Sequence, residues 1–340
     1  MRRLSPSPAA IAIATIAVAC QSASPSASEG IGSSNPSVRE SAAASPVVST
    51  DPATMESRYE AALPLFEYDL AAPLGLERGD SVEVAGIRRE DVSFTSPKGG
   101  TVSSYVLHPL TEGPYPGLIV MHGSGGSRSD LLDQGNDYAR LGVLVLLIDG
   151  PSARRPGEWI NFMERDREEQ IQLIVDLRRA VDVLVEVGAD PERIGYLGYS
   201  YGAAMGGLLA GIEHRIRAYV LDVGDGGLVS HFTGPDDGGG NPEGIPQAQW
   251  DVWVAAMEPI EPIYFIGHAA PGTVLMQSAR HDELVPAADA ERWHKAAGDS
   301  NEVMWYDSGH GLPLAAWCDQ ADWLRAFLAF EAGDLTAGCA

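Results

Sequence analysis

Two uninterrupted apolar runs, residues 117–121 and 143–148, limit the fold more than any other feature of the chain. A strand with one wet face alternates apolar and polar residues, whereas a run without alternation has both faces covered, the condition of a strand inside a parallel sheet. Residues 129–141 between the runs carry a helical pattern, so the three segments form a βαβ unit that crosses over right-handedly. Short strands follow at 193–199, 217–223, 273–277 and 302–306, separated by helical stretches that include 164–187, 287–297 and 314–331. Ahead of the first run, residues 90–95 and 101–108 alternate and flank Gly99-Gly100, which reads as an antiparallel pair joined by a turn. The expected architecture is α/β: a mostly parallel, twisted sheet with helices on both faces and an antiparallel N-terminal strand pair. A short helix at 58–66 precedes it. A Gly- and Asp-rich stretch interrupts the alternation as a lid-like insertion around 224–257.

The N-terminus has a different layout: Arg2 and Arg3, an apolar run over residues 9–19, then Cys20. This is the outline of a signal peptide over residues 1–19. Its apolar run is shorter than the roughly 20 residues a helix needs to span a bilayer. Ala17-Val18-Ala19 before Cys20 resembles the lipobox of bacterial lipoproteins, and the same residues fit an ordinary signal-peptidase site. The expectation is an exported protein, lipid-anchored through Cys20 at a bacterial envelope or, alternatively, secreted, with no other attachment to a membrane. Residues 20–57 are rich in Ser, Ala and Pro and read as a disordered tether, leaving 58–340 as one domain. Lipidation of Cys20 leaves Cys318 and Cys339, which form either a disulfide or two free thiols. A formal net charge of −24 opposes nucleic acid or anionic lipid as a partner.

The chemistry is concentrated in Gly198-Tyr199-Ser200-Tyr201-Gly202, which lies between an apolar strand and a small-residue helix. A serine at such a sharp turn is pushed up at the carboxyl edge of the sheet, and the following helix N-terminus favours negative charge developing beside it. Glycines two positions to either side keep Cβ atoms out of the neighbouring strand and helix.

On these residues the chain resembles the α/β-hydrolase superfamily over roughly residues 89–331, nearest in style to dienelactone-hydrolase-like and acyl-peptidase-like serine esterases. The resemblance implies a chain order of nucleophile, acid and histidine, each on a loop after a strand. Ser200 is then the nucleophile. Asp282, in Ala279-Arg280-His281-Asp282-Glu283-Leu284-Val285-Pro286, fits the acid loop better than Glu283 does by its spacing to Val285-Pro286. His310, in Ser308-Gly309-His310-Gly311, takes the place of the base. The oxyanion would be held by the backbone N–H of Tyr201 and by that of Ser124, in the loop His122-Gly123-Ser124-Gly125-Gly126. Two departures limit what carries over. Dienelactone hydrolase proper uses a cysteine nucleophile, and the loop is not the His-Gly-Gly-Gly of many lipases.

Candidate pocket residues are Arg154, Arg155 and Trp159 after the strand ending near Asp149, and Phe232, Trp250 and Trp253 in the insertion. The two tryptophans either pack the insertion against the body or face substrate. His281 stabilises the acid loop or enters the pocket, while His214, His231 and His268 fall outside motif positions and read as surface or packing residues. Asp222, Asp225, Asp236 and Asp237 match no calcium-loop spacing, so neither metal nor cofactor is expected. The expected function is hydrolysis of a small-molecule carboxylic ester through an acyl-enzyme. The alternatives are a peptidase or thioesterase using the same three residues, and a non-catalytic cell-surface binding protein of the same fold.

Overall fold

The computed structural model describes residues 48–233, 242, 244–298 and 301–330. The expected signal peptide, Cys20, the tether up to residue 47 and Cys339 lie outside the described residues.

Helix α1 (Pro52–Ala62) starts earlier than the sequence suggests, so the tether boundary at residue 57 is corrected: residues 52–57 are helical. The missed signal is a cap, in which the Asp51 carboxylate accepts the Thr54 N–H at 3.0 Å with Pro52 at the first helical position. A 3₁₀ turn (Leu63–Phe66) continues the helix. Tyr59 and Phe66 both meet Phe265 edge-on, at 5.6 and 5.7 Å between ring centres, which fastens this leader to the body.

Among the described residues nine strands form one sheet: β1 (Glu77–Val84), β2 (Ile87–Thr95), β3 (Thr101–Pro109), β4 (Tyr115–Met121), β5 (Leu144–Ile148), β6 (Ala189–Tyr199), β7 (Ala218–Asp222), β8 (Val274–Ala279) and β9 (Glu302–Tyr306). Their order is β1-β2-β3-β5-β4-β6-β7-β8-β9. β2 and β3 pair antiparallel as expected, Thr95 opposite Thr101, and every neighbour pair from β5 to β9 is parallel. The expected pair is in fact a meander, because β1 adds to the outer side of β2. Every residue of β1 is exposed, so it has no alternation to read. It is held by backbone pairing and by Arg78, 2.8 Å from Glu90, and its charges suit an edge.

The helices are α2 (Leu132–Arg140), α3 (Glu164–Glu186), α4 (Tyr201–Ala210), α5 (Val229–Thr233), α6 (Gln247–Met257), α7 (Ala287–Ala297) and α8 (Leu314–Leu328). Alternate residues of the central strands serve opposite faces. Leu118, Val120, Val145, Leu147 and Leu197 pack with α2 and α8; Ile119, Met121, Leu144, Leu146 and Tyr196 pack with α3, α4 and Trp293 of α7. Covering both faces is what makes the two runs uniformly apolar, each fully buried Val, Leu or Ile contributing about 1.5–3 kcal/mol. No helix among the described residues is long and apolar enough to cross a membrane.

The described part of the insertion lies against the body. Trp253 of α6 donates its indole N–H to Asp166 at 3.0 Å, and that carboxylate also accepts the Met163 N–H at 3.1 Å at the start of α3. The loops that follow β4, β6, β8 and β9 all leave from the carboxyl edge of the sheet, where a parallel sheet gathers its reactive groups.

Candidate active site

Ser200 sits between β6 and α4 at φ 55° and ψ −116°, a left-handed conformation that a residue with a side chain rarely adopts. Two close approaches force the glycines beside it. A Cβ on Gly198 would lie 2.2 Å from the carbonyl oxygen of Gly202, and one on Gly202 would lie 2.5 Å from that of Met121. The elbow is fixed from both sides, by the Ser200 N–H donating to the Asp222 carbonyl at 2.8 Å and by Ala203 and Ala204 donating to the Ser200 carbonyl at 2.8 and 3.0 Å.

The structure brings Ser200, His310 and Asp282 into one hydrogen-bonded line. His310 Nε2 is 3.0 Å from Ser200 Oγ, and His310 Nδ1 is 3.0 and 2.9 Å from the two oxygens of Asp282. The Asp282 side chain is 1% exposed and accepts the backbone N–H groups of Leu284 and Val285, both at 2.9 Å. Arg280 and His281 donate backbone N–H groups to Tyr306 and Ser308, holding the acid loop beside the loop that carries His310. Tyr199 donates its hydroxyl to the His310 carbonyl at 3.0 Å. Glu283 takes no part in the line. His281 pairs with Asp307 at 2.6 Å on the exposed surface, so it acts on the loop and does not enter the site.

The loop after β4 is pinned by a residue that sequence reasoning left without a role. His122 donates from Nδ1 to the Gly123 carbonyl at 2.7 Å and accepts the Gly150 N–H on Nε2 at 3.1 Å. Burial lowers its basicity, which keeps the neutral ring that both bonds require. Gly123 is thereby pressed against the elbow, its Cβ position 3.6 Å from Ser200 Cβ. Ser124 from this loop and Tyr201 from α4 line one narrow cavity with Ser200.

That cavity has a volume of about 40 Å³, and Trp159, Leu228 and Phe232 make its apolar wall. By the roughly 10–15 Å³ that one water occupies on this measure, it holds a few waters or a short chain. Trp159 and Phe232, both pocket candidates from the sequence, line this cavity 6.2 Å apart and nearly parallel. The other pocket candidates are corrected. Trp250 and Trp253 are buried and stack on each other at 5.1 Å behind Phe162, supporting the wall without lining the cavity. Arg154 turns away to Asp176 at 2.6 Å and to the Thr101 carbonyl at 3.1 Å; burial pushes the Asp176 carboxyl up to about 6 despite that cation. Arg155 is held by both oxygens of Glu169, at 2.5 and 2.6 Å. The partners of both arginines lie a helix away in sequence, and no local pattern announces them.

His231 is the residue most misjudged from sequence, because it lines the cavity. Its Nδ1 is 2.9 Å from Asp225 Oδ2, and Asp225 accepts the Gly227 N–H at 3.1 Å. An Asp and a His six positions apart in a glycine-rich stretch carry no periodicity to betray them. Glu261, fully buried, accepts the Leu228 N–H at 2.9 Å, the Ser230 hydroxyl at 3.1 Å and the Val229 N–H, and so shapes the same loop. Cys318 of α8 is disulfide-bonded.

Similar folds occur in solved structures. Acetyl xylan esterase 1 from Thermoanaerobacterium sp. superposes with a TM-score of 0.65 at 16% identity, covering 83% of this chain and 96% of that one. An acetyl xylan esterase from Paenibacillus sp. R4 gives 0.63 at 20% identity, covering 82% and 96%. A cold-adapted esterase from an Arctic intertidal metagenomic library gives 0.55 at 18%, covering 74% and 98%. Among curated proteins, a polyketide transferase of Stachybotrys chlorohalonatus is 30% identical over 140 residues, which is 40% of this chain. The match spans 45% of that relative's length, so less than half of it is represented. No protein-family model matches the chain.

Proposed function

Because the chain has the α/β-hydrolase fold, with Ser200, His310 and Asp282 hydrogen-bonded in line at the rim of its sheet, we propose that it hydrolyses carboxylic esters of short acyl groups through an acyl-enzyme. The observation that carries the reading is the 3.0 Å contact between His310 Nε2 and the hydroxyl of a serine on a left-handed elbow. A serine hydroxyl is a weak nucleophile until a base removes its proton during attack, and His310 Nε2 is placed to do so. Asp282 holds the proton on Nδ1, fixing the tautomer, and stabilises the imidazolium that forms. The N–H groups of Tyr201 and Ser124 receive the oxyanion. As the tetrahedral species collapses, the C–O bond to the alcohol breaks and Nε2–H returns the proton to the leaving oxygen. Water, deprotonated by the same nitrogen, then attacks the acyl carbonyl, releasing the acid and Ser200. An organophosphonate tests this: it should add one phosphonyl group to the protein and none to Ser200→Ala, and equal labelling of both would remove the assigned nucleophile.

The same three groups suit amide or thioester cleavage. Esters are favoured because several proteins that share the fold are named esterases, and short acyl groups because the cavity beside Ser200 is so small. Trp159→Ala is expected to move the acyl preference from acetate and propionate toward hexanoate, read as kcat/KM over a series of p-nitrophenyl esters. An unchanged profile would mean that the acyl group does not enter beside Trp159.

Export with a lipid on Cys20 is part of this proposal and rests on Arg2, Arg3, the apolar run and Ala17-Val18-Ala19. Expressed in a bacterial host, the full chain should partition into the detergent phase and Cys20→Ala into the aqueous phase. A wild-type chain found in the aqueous phase speaks for plain secretion.

A further inference from the structure

The cavity beside Ser200 holds a second hydrogen-bonded pair that the hydrolytic cycle does not use. His231 Nδ1 is occupied by Asp225 at 2.9 Å, while Nε2 makes no hydrogen bond among the described residues, on a ring that lines the cavity and is 33% exposed. Of the other polar side chains there, the Ser200 hydroxyl is engaged with His310, Asp225 with His231 and Gly227, and the Tyr201 hydroxyl with Gln170, while Ser124 is exposed. Trp159, Ala204, Leu228, Phe232 and Val285 give the wall its apolar side chains, which offer no acceptor to an N–H brought against them. At about 40 Å³ the space admits a short chain, and the acyl-enzyme reading seats the acyl group there.

We propose that His231, oriented by Asp225, is a specificity-determining donor: its Nε2–H binds an oxygen on the acyl group beyond the scissile carbonyl, so that esters of short 2-hydroxy acids are preferred over alkanoic esters of the same shape. This rests on the acyl-enzyme reading of Ser200. Discrimination of this kind is strong because an alkyl group in the same place leaves a desolvated N–H without a partner. Donation needs a proton on both ring nitrogens. Burial opposes that proton, but the hydrogen bond to Asp225 and the charges of Asp225 and Asp289 on α7 outweigh burial and raise His231 above its usual value; Glu261, whose carboxyl burial pushes up to about 8, adds its charge only at higher pH. A hydroxyl can accept from the protonated ring or donate to Nε2 of the neutral one, so the donor role is isolated by an ether oxygen, for which the preference is complete at low pH and is lost as pH rises through that raised value. Any pH dependence that two substrates share cancels in their ratio.

The test compares ethyl glycolate with ethyl propionate, and ethyl lactate with ethyl isobutyrate, as kcat/KM ratios divided by the ratios for alkaline hydrolysis. The wild type is expected to favour the hydroxy esters by about tenfold or more, and the corresponding ratio of ethyl methoxyacetate to ethyl butyrate, whose ether oxygen only accepts, should fall toward high pH. His231→Phe should bring the ratio to one, and His231→Gln, which keeps an N–H donor, should retain part of it. A purely structural pair would leave the ratio in place in both variants, and that result overturns the inference. Ser200-dependent turnover with no wild-type preference overturns it as well, whether or not the variants fold, and leaves the hydrolase reading standing. Turnover that survives in Ser200→Ala overturns both.

Discussion

Ser200→Ala is expected to lower kcat/KM toward a short-chain ester by roughly 10⁶-fold, with the fold unchanged. The size follows from what the substitution removes. Without Oγ there is no atom to form the acyl-enzyme, and His310, whose Nε2 stood 3.0 Å from that oxygen, has no proton to take. On the proposed mechanism, what survives is attack by water on a carbonyl still polarised by the N–H groups assigned to Tyr201 and Ser124, worth roughly 10³–10⁴ over the uncatalysed rate. Since the groups act as a unit, His310→Ala should cost about as much, and the double variant little more than either alone. The backbone supplies an independent check. Ser200 is held at φ 55°, and alanine keeps that strain, whereas glycine adopts such angles freely. Ser200→Gly should be as inactive as Ser200→Ala yet more stable than it by about 1 kcal/mol. The measurement is kcat/KM on protein with matched circular dichroism, together with thermal midpoints. More than about a thousandth of wild-type activity in Ser200→Ala would move the nucleophile elsewhere.

The two ends of the problem were legible for different reasons. The strands in the middle of the sheet are covered on both faces, so Leu118 to Met121 and Leu144 to Ile148 have no polar position to hide the pattern. Strand β1 is the opposite case. It is exposed throughout and is held to β2 by backbone bonds, which leave no trace in side-chain order. Ser200, Asp282 and His310 were readable because each lies in a short local context that a sharp turn after a strand demands. The cavity was legible only in part, in Trp159 and Phe232, because its wall is assembled from segments far apart. Trp159 follows β5, Phe232 sits in α5, and the tryptophans judged from their spacing, Trp250 and Trp253, share a face of α6 that turns to Phe162 and Asp166 instead. A helix face read from spacing says that residues lie together; it does not say what they lie against.

The same distinction makes Gly202 the most informative position outside the reacting groups. A Cβ there would stand 2.5 Å from the Met121 carbonyl oxygen and 2.7 Å from that of His122. Both obstacles are backbone, at the point where β4 passes into the loop that carries Ser124, so neither moves aside as a flexible side chain would. Gly202→Ala must therefore separate α4 from that loop by several tenths of an ångström. The shift carries the Ser124 N–H away from the Tyr201 N–H, although an oxyanion needs both donors within roughly 3 Å of one point. It also strains the His122 bonds to Gly123 and Gly150 that pin the loop. Loss of one oxyanion donor costs about 10²–10³ in kcat, and overpacking of a buried contact about 1–3 kcal/mol of stability. Gly202→Ala should thus fold with a lower thermal midpoint and lose most of its kcat, with KM for the ester changed far less, because the oxyanion forms only in the transition state. Phosphonylation of Ser200 should slow in parallel, since it too develops charge on that oxygen. Wild-type kcat in a folded Gly202→Ala variant would show that the loop after β4 does not supply the second donor, and would return Ser124 to the role of a turn residue.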